Sequence, residues 1–344
     1  MSKVLVVRLS AIGDVAMTIP VIYSVAAANP QDSFTVLTQT FLMPLFINRP
    51  ANVNVMGVNT KTTEKSFFGF FRYVLMLRMY KFDMVLDLHS VIRSRIVNFI
   101  FRLKWKKVFV VDKMRNERKR ITALPPKEIF PLRPVIERYA DVFRAVGFKF
   151  DNTFVSLYAD SVVTENVIDM IAGEKKDRRW IGVAPFARHK GKIYPIERME
   201  KVVEYLSKQD SITVFLFGGR GDEEKILKQW EDKYKNTISV VGRYSLDKEL
   251  PLMSNLDVLV SMDSANMHFA SLVGTKVISI WGATHPYAGF FGYKQSEDLA
   301  IQVDLPCRPC SIYGNKPCHR GDWACMNEIS AERIIDKIEE VLQL

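Results

Sequence analysis

The stretch VLVSMDSANMHFASLVGTKVISIWGATHP, residues Val258–Pro286, contains the pattern from which the fold can be inferred. It begins with a short apolar run, Val258–Ser261, which is typical of a buried strand. Ala265–Val273 then has helix-forming content, and Gly274 follows as a natural helix stop. Lys276–Ile280 predicts the next strand. The unit is therefore a strand, a tight turn, a short helix and a strand, as in a parallel α/β sheet.

The turn before this helix has the composition of an anion site. Asp263 and Ser264 are residues that favour helix N-caps. The first turn of the helix would aim its backbone N–H groups at one point, where the helix dipole adds positive potential. A diphosphate fits such a point, whereas the alternative is an ordinary capped helix without a ligand. The N–H groups concerned are those of Ser264, Ala265, Asn266 and Met267.

Strands and helices alternate in the same way on both sides of this stretch, which predicts an α/β protein with mostly parallel, doubly wound sheets. The polar segment Asp151–Arg179, with its charged run Glu174–Arg179, separates two such sets. We therefore predict Rossmann-like domains over residues 1–155 and 156–344 that face a cleft, with ligands at the carboxyl ends of the strands. The other strands are predicted at Lys3–Val7, Phe34–Thr38, Val53–Val58, Met84–Leu88, Val108–Val111, Trp180–Ala184, Ile212–Phe217 and Ile238–Val241.

Helices are predicted between these strands. The first, Asp14–Ala28, contains Pro20 and must be kinked or start later. The last, Ser330–Leu344, is amphipathic and is expected to pack back toward the first domain. The others are Phe41–Arg49, Ser66–Tyr80, Val91–Leu103, Val135–Gly147, Pro195–Ser207, Asp222–Tyr234 and Ser245–Ser254. The helix Ser66–Tyr80 is expected to place in the core Phe67, Phe70, Phe71, Val74, Leu75 and Leu77.

The 344 residues are 48% hydrophobic, which is enough for the cores of two domains. No apolar run of about 20 residues predicts a transmembrane helix, and the N-terminus lacks the layout of a signal peptide. We therefore expect a cytoplasmic protein. The spacing C-x2-C-x7-C-x6-C could bind zinc, and the alternative is a set of reduced structural thiols. The cysteines are Cys307, Cys310, Cys318 and Cys325.

The net charge of +10 is concentrated in one segment. Between Phe101 and Arg120 there are nine basic and two acidic residues, a local charge of +7. Such a segment predicts an anionic partner: nucleic acid, an anionic membrane surface, or a phosphorylated or carboxylated substrate. The alternative is a solvated basic loop.

Two common nucleotide-binding patterns are missing. There is no G-x-G-x-x-G after the first strand and no G-x-x-x-x-G-K-[ST] in the chain. There is also no Asp-x-Asp pair of the kind that often holds a divalent metal on a nucleotide sugar. Instead, four pieces occur in order: Arg8–Val15, Lys190–Pro195, Gly218–Glu223, and Asp263–His268 with Gly282–Pro286 behind it.

Together these pieces resemble glycosyltransferase family 9, the bacterial heptosyltransferases of lipopolysaccharide core assembly. Arg8–Asp14 looks like the family's R-x-S-x-x-G-D signature, and Lys192–Pro195 like its K-x-W-P element with Tyr194 for Trp. Asp263–His268 looks like its D-[ST]-G-x-x-H turn, with Ala265 for Gly. The resemblance covers the chain in order. It implies a GT-B fold and an inverting transfer without metal or other cofactor, from ADP-heptose to an inner-core sugar on lipid A.

The residues themselves agree with these roles. Asp14 follows the first strand and can take the proton of an attacking hydroxyl, unless it is only a helix cap. Lys192 can neutralise the leaving diphosphate, and the helix after Ser264 can stabilise the same charge. Glu223 could bind ribose hydroxyls or simply favour a helix N-terminus. The predicted donor residues are Lys192, Glu223, Asp263, Ser264, Ala265, Asn266, Met267 and His268, although His268 could equally be a packed core histidine.

The acceptor is expected on the first domain. Ser10 and Gly13 belong to the signature loop, and arginines grip carboxylates and phosphates of an acidic glycolipid by bidentate contacts. The basic residues assigned to this role are Arg93, Arg95, Arg115, Arg118, Lys119 and Arg120. The basic segment also predicts peripheral contact with the anionic inner membrane, at its cytoplasmic face.

Other functions stay open at this point. A transferase that uses another nucleotide sugar has the same features, and a nucleotide-sugar epimerase of similar two-domain shape would turn over the donor alone. A nucleic-acid-binding protein is a third alternative. Against it, aromatic and basic residues are not interleaved as they are in base-stacking surfaces, so we expect no nucleic acid partner.

Overall fold

The computed structural model describes residues 1–159, 173, 175 and 177–343 and divides the chain into two compact units. Unit 1 contains Met1–Lys113 and Val135–Val155, and unit 2 contains Met114–Pro134 and Ser156–Leu344. The segment Met114–Pro134 therefore groups with unit 2, although it lies in the first half of the sequence. The junction expected within Asp151–Arg179 falls partly outside the described residues.

Unit 1 is built on a parallel sheet in which the first strand is central. The strand order is β3-β2-β1-β4-β5, and Val4 on β1 pairs with Phe34 on β2 and with Met84 on β4. The carboxyl ends of β1 and β4 therefore lie side by side. The strands are β1 Lys3–Val7, β2 Ser33–Gln39, β3 Val53–Val58, β4 Met84–Asp87 and β5 Lys107–Val110.

The predicted break in the first helix is confirmed. The chain forms α1 (Ile12–Ala16) and then α2 (Ile19–Ala28), with Pro20 in the first turn of α2, where a missing N–H costs no helical hydrogen bond. The helix predicted at Phe41–Arg49 is instead a 3₁₀ segment, Thr40–Leu45, that contains Pro44. Proline lacks the N–H that a longer α-helix needs at this position.

Two helices cover one face of this sheet, and the prediction for the first of them was partly wrong. In α3 (Phe67–Leu77) the residues Phe70, Val74 and Leu77 are buried, but Phe67 and Leu75 are exposed. The second helix, α4 (Ile92–Arg102), packs beside α3. Within unit 1, α6 (Val135–Arg144) packs against α2.

Unit 2 has a parallel sheet of order β11-β10-β9-β6-β7-β8, with β9 from the opening stretch near its centre. Its strands are β6 Arg179–Ala184, β7 Ile212–Leu216, β8 Thr237–Ser239, β9 Val258–Met262, β10 Val277–Ile280 and β11 Ala300–Ile301. Its helices are α5 Arg115–Ile121, α7 Ile196–Ser207, α8 Asp222–Lys233, α9 Leu246–Ser254, α10 Ala265–Leu272, α11 Ala324–Asn327 and α12 Ala331–Leu342.

The last helix belongs to the core of unit 2. Ile334, Ile338 and Leu342 of α12 are buried in the same cluster as Val202 of α7 and Val260 of β9. Its expected packing toward the first domain stays a prediction. Within the described ranges, every helix is too short or too polar to cross a bilayer.

Candidate functional site

Each unit has a pair of oppositely charged side chains at the carboxyl end of a central strand. In unit 1 the pair is Arg8 and Asp14, directly after β1, and in unit 2 it is Lys192 and Asp263, the latter directly after β9. Both are strand ends where α/β proteins commonly bind ligands.

Arg8 holds the carboxylate of Asp14. One guanidinium nitrogen of Arg8 lies 2.8 Å from Asp14 Oδ1, and the other donates a hydrogen bond of 2.6 Å to the Leu88 carbonyl at the end of β4. The guanidinium also lies over the ring of Tyr139. Because Arg8 is buried and fixed on three sides, it fixes the position of Asp14 in turn.

Asp14 also has the capping role that was its alternative interpretation. Its Oδ2 accepts a hydrogen bond of 3.3 Å from the Ala11 N–H at the start of α1. The two roles are compatible, because a carboxylate has about four lone-pair sites. The Asp14 side chain keeps 18% of its surface exposed, so it is open to a substrate as well as to its partners.

His89 lines the same loop from β4. Its Nδ1 accepts the Leu9 N–H at 3.4 Å, so Nε2 carries the proton and faces the Ser10 hydroxyl at 3.3 Å. Burial, with the positive charges of Arg8 and Lys113, lowers the pKa of His89 to about 3. The imidazole is therefore neutral at physiological pH and orients Ser10 rather than adding charge.

A buried carboxylate fixes the position of His89. Asp87 is fully buried, and its Oδ1 accepts the N–H groups of His89 and Ser90, each at 2.8 Å. Its Oδ2 accepts a hydrogen bond of 2.7 Å from the Asn98 amide on α4. The turn after β4 is thus held by charge-assisted hydrogen bonds, which are the stronger kind.

In unit 2, Asp263 holds Lys192. The Lys192 ammonium lies 2.8 Å from Asp263 Oδ2, and both side chains are largely buried. The lysine lies in a tight 3₁₀ turn, Lys190–Lys192, where a Cβ on Gly191 would come within 2.8 Å of the Gly314 carbonyl. The ammonium is therefore positioned beside the start of α10, since Asp263 directly precedes the N-cap Ser264.

The N-terminus of α10 has the predicted form but lacks a side-chain cap. Ser264 occupies the N-cap position, yet its hydroxyl lies 3.3 Å from Ser261 Oγ and caps no backbone N–H. The first N–H groups of the helix are thus not satisfied by the cap side chain and can bind an anion. Ala265 and Asn266 are half-exposed here, whereas Met267 and His268 are buried.

In the glycine-rich turn after β7, two glutamates accept hydrogen bonds from backbone N–H groups of the turn itself. Glu223 accepts a hydrogen bond of 2.6 Å from the Gly219 N–H, and Glu224 accepts one of 3.3 Å from the Gly221 N–H. Gly221 has φ of +92°, which disfavours any side chain. Glu223 is therefore a turn-forming residue in this structure, and a role in ribose binding stays a prediction.

Tyr194, which stands where the family pattern has Trp, is a core residue. It is fully buried, and its hydroxyl donates a hydrogen bond of 3.0 Å to the Ile329 carbonyl. The hydroxyl thus has the partner that a buried polar group needs. The difference from the family pattern at this position therefore lies in the core of unit 2.

Arg308, which the sequence did not single out, organises the loop after β10. It is buried, with hydrogen bonds to the carbonyl oxygens of Gly282, Trp281 and Thr284. The pKa of His285 in this loop is lowered to about 4, by burial and by the charge of Arg308. No spacing rule connects Arg308 to Gly282, so only the fold reveals the contact.

The predicted acceptor residues fall in different places. In unit 1, Arg93 donates to the Lys65 carbonyl at 3.4 Å, and Arg95 is exposed on α4. Ser10 and Gly13 also lie in unit 1, in the loop and helix that follow β1. The remaining basic residues lie on α5 in unit 2, where Arg118 donates to the Tyr313 hydroxyl at 2.7 Å and also lies over the Phe290 ring. Arg120 is paired with Glu128, and Arg115, Lys119 and Arg120 are exposed.

The four cysteines are free thiols in unit 2. Cys307 and Cys325 are buried, while Cys310 and Cys318 are partly exposed. Burial raises the pKa of Cys325 to about 11, which keeps it protonated. Among the described residues, no three His, Cys, Asp or Glu side chains are arranged as a metal site.

Comparison with known proteins identifies the family. The model of glycosyltransferase family 9 (heptosyltransferase) matches residues 71–318. The lipooligosaccharide heptosyltransferase 2 of Campylobacter jejuni subsp. jejuni serotype O:6 is 21% identical over 337 residues, which cover 96% of each chain.

Solved structures have the same fold. A glycosyltransferase family 9 structure from Veillonella parvula superimposes with a TM-score of 0.78 at 19% identity, covering 99% of this chain and 97% of that one. Escherichia coli ADP-heptose lipopolysaccharide heptosyltransferase II gives 0.69 at 17% identity, with 99% and 98% covered. The predicted class, GT-B with parallel α/β units, is thereby confirmed.

Proposed function

Because the chain belongs to glycosyltransferase family 9 and is a glycosyltransferase, we propose that it transfers a heptose from ADP-heptose to an acidic lipopolysaccharide core acceptor. One observation carries the donor half of this proposal. Lys192 is held by Asp263 beside the uncapped N-terminus of α10, which puts an ammonium and free N–H donors at one strand end. A nucleoside diphosphate has the charge and the acceptor oxygens for such a site.

The reaction would proceed as an inverting displacement. The oxygen of an acceptor hydroxyl bonds to the anomeric carbon of the sugar while the bond from that carbon to the diphosphate oxygen breaks. Asp14 takes the hydroxyl proton as general base, and Arg8 fixes its orientation. Lys192 and the N–H groups of α10 stabilise the negative charge that grows on the leaving diphosphate.

The proposed reaction needs no metal ion, because Lys192 and the helix supply the positive potential that a divalent cation supplies elsewhere. Chelator should therefore leave the rate unchanged. The identity of heptose and adenine rests on relatives: the Escherichia coli structure is of an ADP-heptose lipopolysaccharide heptosyltransferase.

The acceptor is proposed to be an acidic glycolipid core at the cytoplasmic face of the inner membrane. The names of the relatives reported above describe them as heptosyltransferases of lipooligosaccharide or lipopolysaccharide. The basic composition of the chain supports an anionic acceptor and peripheral contact with the anionic membrane.

The proposal is tested in two steps. A thermal-shift screen with ADP-, UDP-, GDP- and dTDP-sugars identifies the donor, because specific binding raises apparent stability by mass action. Release of nucleoside diphosphate is then measured with and without a core acceptor, with and without EDTA. Release that requires the acceptor and resists EDTA supports the proposal. Turnover of donor alone would indicate an epimerase instead, and a preference for another nucleotide would overturn the ADP-heptose assignment.

A further inference from the structure

The helices α3 and α4 expose large apolar side chains to solvent. Phe68 is 82% exposed and Ile92 is 77% exposed, while Met79 and Trp105, just beyond the two helix ends, reach 80% and 96%. Single exposed apolar residues are normal on a soluble protein, whereas a contiguous set indicates an interaction surface.

The exposed residues follow helical spacing. On α3 and its extension, the outward stripe runs at intervals of three and four residues, opposite the buried Phe70, Val74 and Leu77. It consists of Phe68, Arg72, Leu75, Met76 and Met79. The corresponding stripe on α4 consists of Ile92, Arg95, Phe99, Arg102 and Leu103. Each helix is therefore apolar on the sheet side and mixed apolar and basic on the solvent side.

The two stripes lie on the same side of unit 1. At the start of the helices, the Arg93 guanidinium donates to the Lys65 carbonyl just before α3. At their ends, Phe82 stacks on Tyr80 and contacts Phe101 of α4, with centroids 6.0 and 6.3 Å apart. The helices therefore run side by side on one face of the sheet. We call their joint outer face the α3–α4 surface: Phe68, Leu75, Met76, Met79, Ile92, Phe99, Leu103 and Trp105.

The segment that carries these apolar side chains is strongly basic, and most of its basic residues are exposed. Residues 65–107 contain ten basic and two acidic residues, a net charge of +8. Of the two acids, Asp87 is buried in the turn after β4, and Asp83 lies 3.9 Å from Lys106. The basic residues are Lys65, Arg72, Arg78, Lys81, Arg93, Arg95, Arg102, Lys104, Lys106 and Lys107.

We infer that the α3–α4 surface docks unit 1 on an anionic lipid bilayer. Aromatic and aliphatic tips enter the boundary between headgroups and acyl chains, and the arginines and lysines bind lipid phosphates. A second copy of the chain is a poorer occupant, because it would bring two equally basic surfaces together. The inference deepens the membrane contact proposed above and rests on it, while naming a surface that charge counting along the sequence did not identify.

The test uses vesicle flotation to compare two variants in which exposed apolar residues are replaced with serine. Phe68→Ser/Trp105→Ser removes two tips of the surface, and Leu124→Ser/Val155→Ser removes two apolar residues of 64% and 62% exposure outside it. All four side chains are exposed, so both proteins should fold. With phosphatidylglycerol-containing vesicles we expect the first variant to bind about tenfold or more weakly and the second to match wild type. Salt should weaken the binding of wild type.

The fluorescence of Trp105 can report directly on whether this residue enters the bilayer. The other tryptophans, Trp180, Trp230, Trp281 and Trp323, are buried or half-buried. Anionic vesicles should therefore shift the emission of wild type to the blue and protect it from iodide, and Trp105→Phe should show little of either change. The inference would be overturned if neutral phosphatidylcholine vesicles changed the emission of wild type equally. It would also be overturned if anionic vesicles changed the emission of Trp105→Phe as much as that of wild type.

Failure of this inference is distinguishable from failure of the proposed function. Asp14→Asn should still bind vesicles, and Phe68→Ser/Trp105→Ser should still transfer sugar to a water-soluble core fragment. Undiminished vesicle binding by that double variant would exclude the α3–α4 surface. A dimer of wild type that the double variant dissociates, seen by sedimentation without lipid, would assign the surface to a second copy and also overturn the inference.

Discussion

The charged pairs of the two units have the same N–O separation, 2.8 Å, but opposite arrangements. In unit 1 the cation is the more buried partner: the side chain of Arg8 is 9% exposed and that of Asp14 is 18% exposed. In unit 2 the anion is the more buried partner, with Asp263 at 4% and Lys192 at 15%. In each pair the more exposed member is the one to which the proposed reaction gives a role.

This difference indicates that in each pair the more buried partner fixes the position of the other, and the more exposed partner is available to react. A buried arginine cannot lose its charge and has a planar fork of donors, so it fixes a carboxylate in one orientation. A buried aspartate gives a flexible lysine one preferred position without blocking its remaining N–H donors. Each pair can be broken by replacing either partner, with different expected consequences.

Asp14→Asn should have the largest effect. The amide cannot accept the hydroxyl proton, so turnover should fall by about two to four orders of magnitude. Donor affinity should stay the same, because the donor is assigned to unit 2. The measurement is acceptor-dependent release of nucleoside diphosphate, with donor binding by calorimetry on the same samples.

The stability of this variant distinguishes the ion pair with Arg8 from a helix cap, whereas its turnover tests the general base. A helix cap can be replaced by Asn at almost no cost, but Arg8 would lose its counter-charge, so we expect a loss of about 1–3 kcal/mol. A variant that keeps near-normal turnover would show that Asp14 only caps α1 and holds Arg8.

Lys192→Ala comes next. Loss of a charge-assisted contact should weaken nucleoside diphosphate binding about 10- to 100-fold. It also leaves the Asp263 carboxylate buried without its partner, which costs about 3–5 kcal/mol of unfolding free energy. Calorimetry with ADP and urea unfolding measure the two effects.

A double variant separates the effect on ADP binding from the effect on stability. Lys192→Ala/Asp263→Asn removes the stranded charge, so stability should recover while ADP binding stays weak. Recovery of binding together with stability would mean that Lys192 acts only as the partner of Asp263.

The pH dependence of stability tests the histidine beside the unit 1 pair. Unfolded His89 binds a proton below about pH 6.5, whereas the folded protein holds its pKa at about 3. The stabilising effect of this neutral imidazole is therefore complete above pH 6.5 and is lost as pH falls toward 3. Between pH 7 and 5 the loss should be about 2 kcal/mol.

Urea unfolding at several pH values measures this dependence in His89→Gln and in wild type. The variant should lose less stability on acidification, and His319→Gln, at an exposed histidine, should behave like wild type. Identical slopes for all three proteins would contradict a neutral, buried His89.

Arg8→Lys should have the smallest effect. Lysine keeps the charge, but it lacks the fork that binds Asp14 and the Leu88 carbonyl together. Turnover should fall by about tenfold through misplacement of Asp14, with donor affinity unchanged. A loss as large as that of Asp14→Asn would give Arg8 a direct contact with substrate.

The sequence predicted elements with strong local patterns. The strands of both sheets other than β11, the break before Pro20 and the N-cap at Ser264 depend on neighbours within a few residues, and the structure confirms them. The two-residue strand β11, Ala300–Ile301, was not predicted. The predicted roles of Asp14 and Lys192 stay predictions, although both lie at the strand ends where they were expected.

Contacts between distant residues escaped prediction. Asp263 is 71 positions from Lys192, and His89 is 80 positions from Leu9, so no periodicity connects them. Periodicity also identifies apolar residues without showing what covers them, which is why Phe67 was assigned to the core. Charge counting likewise treated residues 101–120 as one segment, but the fold divides them between two units.

The assignment of residues 114–134 to unit 2 affects the order in which the chain can fold during synthesis. Residues 114–134 depend on partners far downstream: Arg118 contacts Phe290 and Tyr313, and the Lys127 ammonium donates to the carbonyls of Cys307 and Pro309. At synthesis rates of about 5–20 residues per second, roughly ten to thirty seconds pass before those partners leave the ribosome. During that time unit 1 already has its sequence, while this basic segment lacks the downstream partners named above. A fragment ending at residue 155 would have the same exposed segment permanently, so nascent-chain length sets when this region can fold.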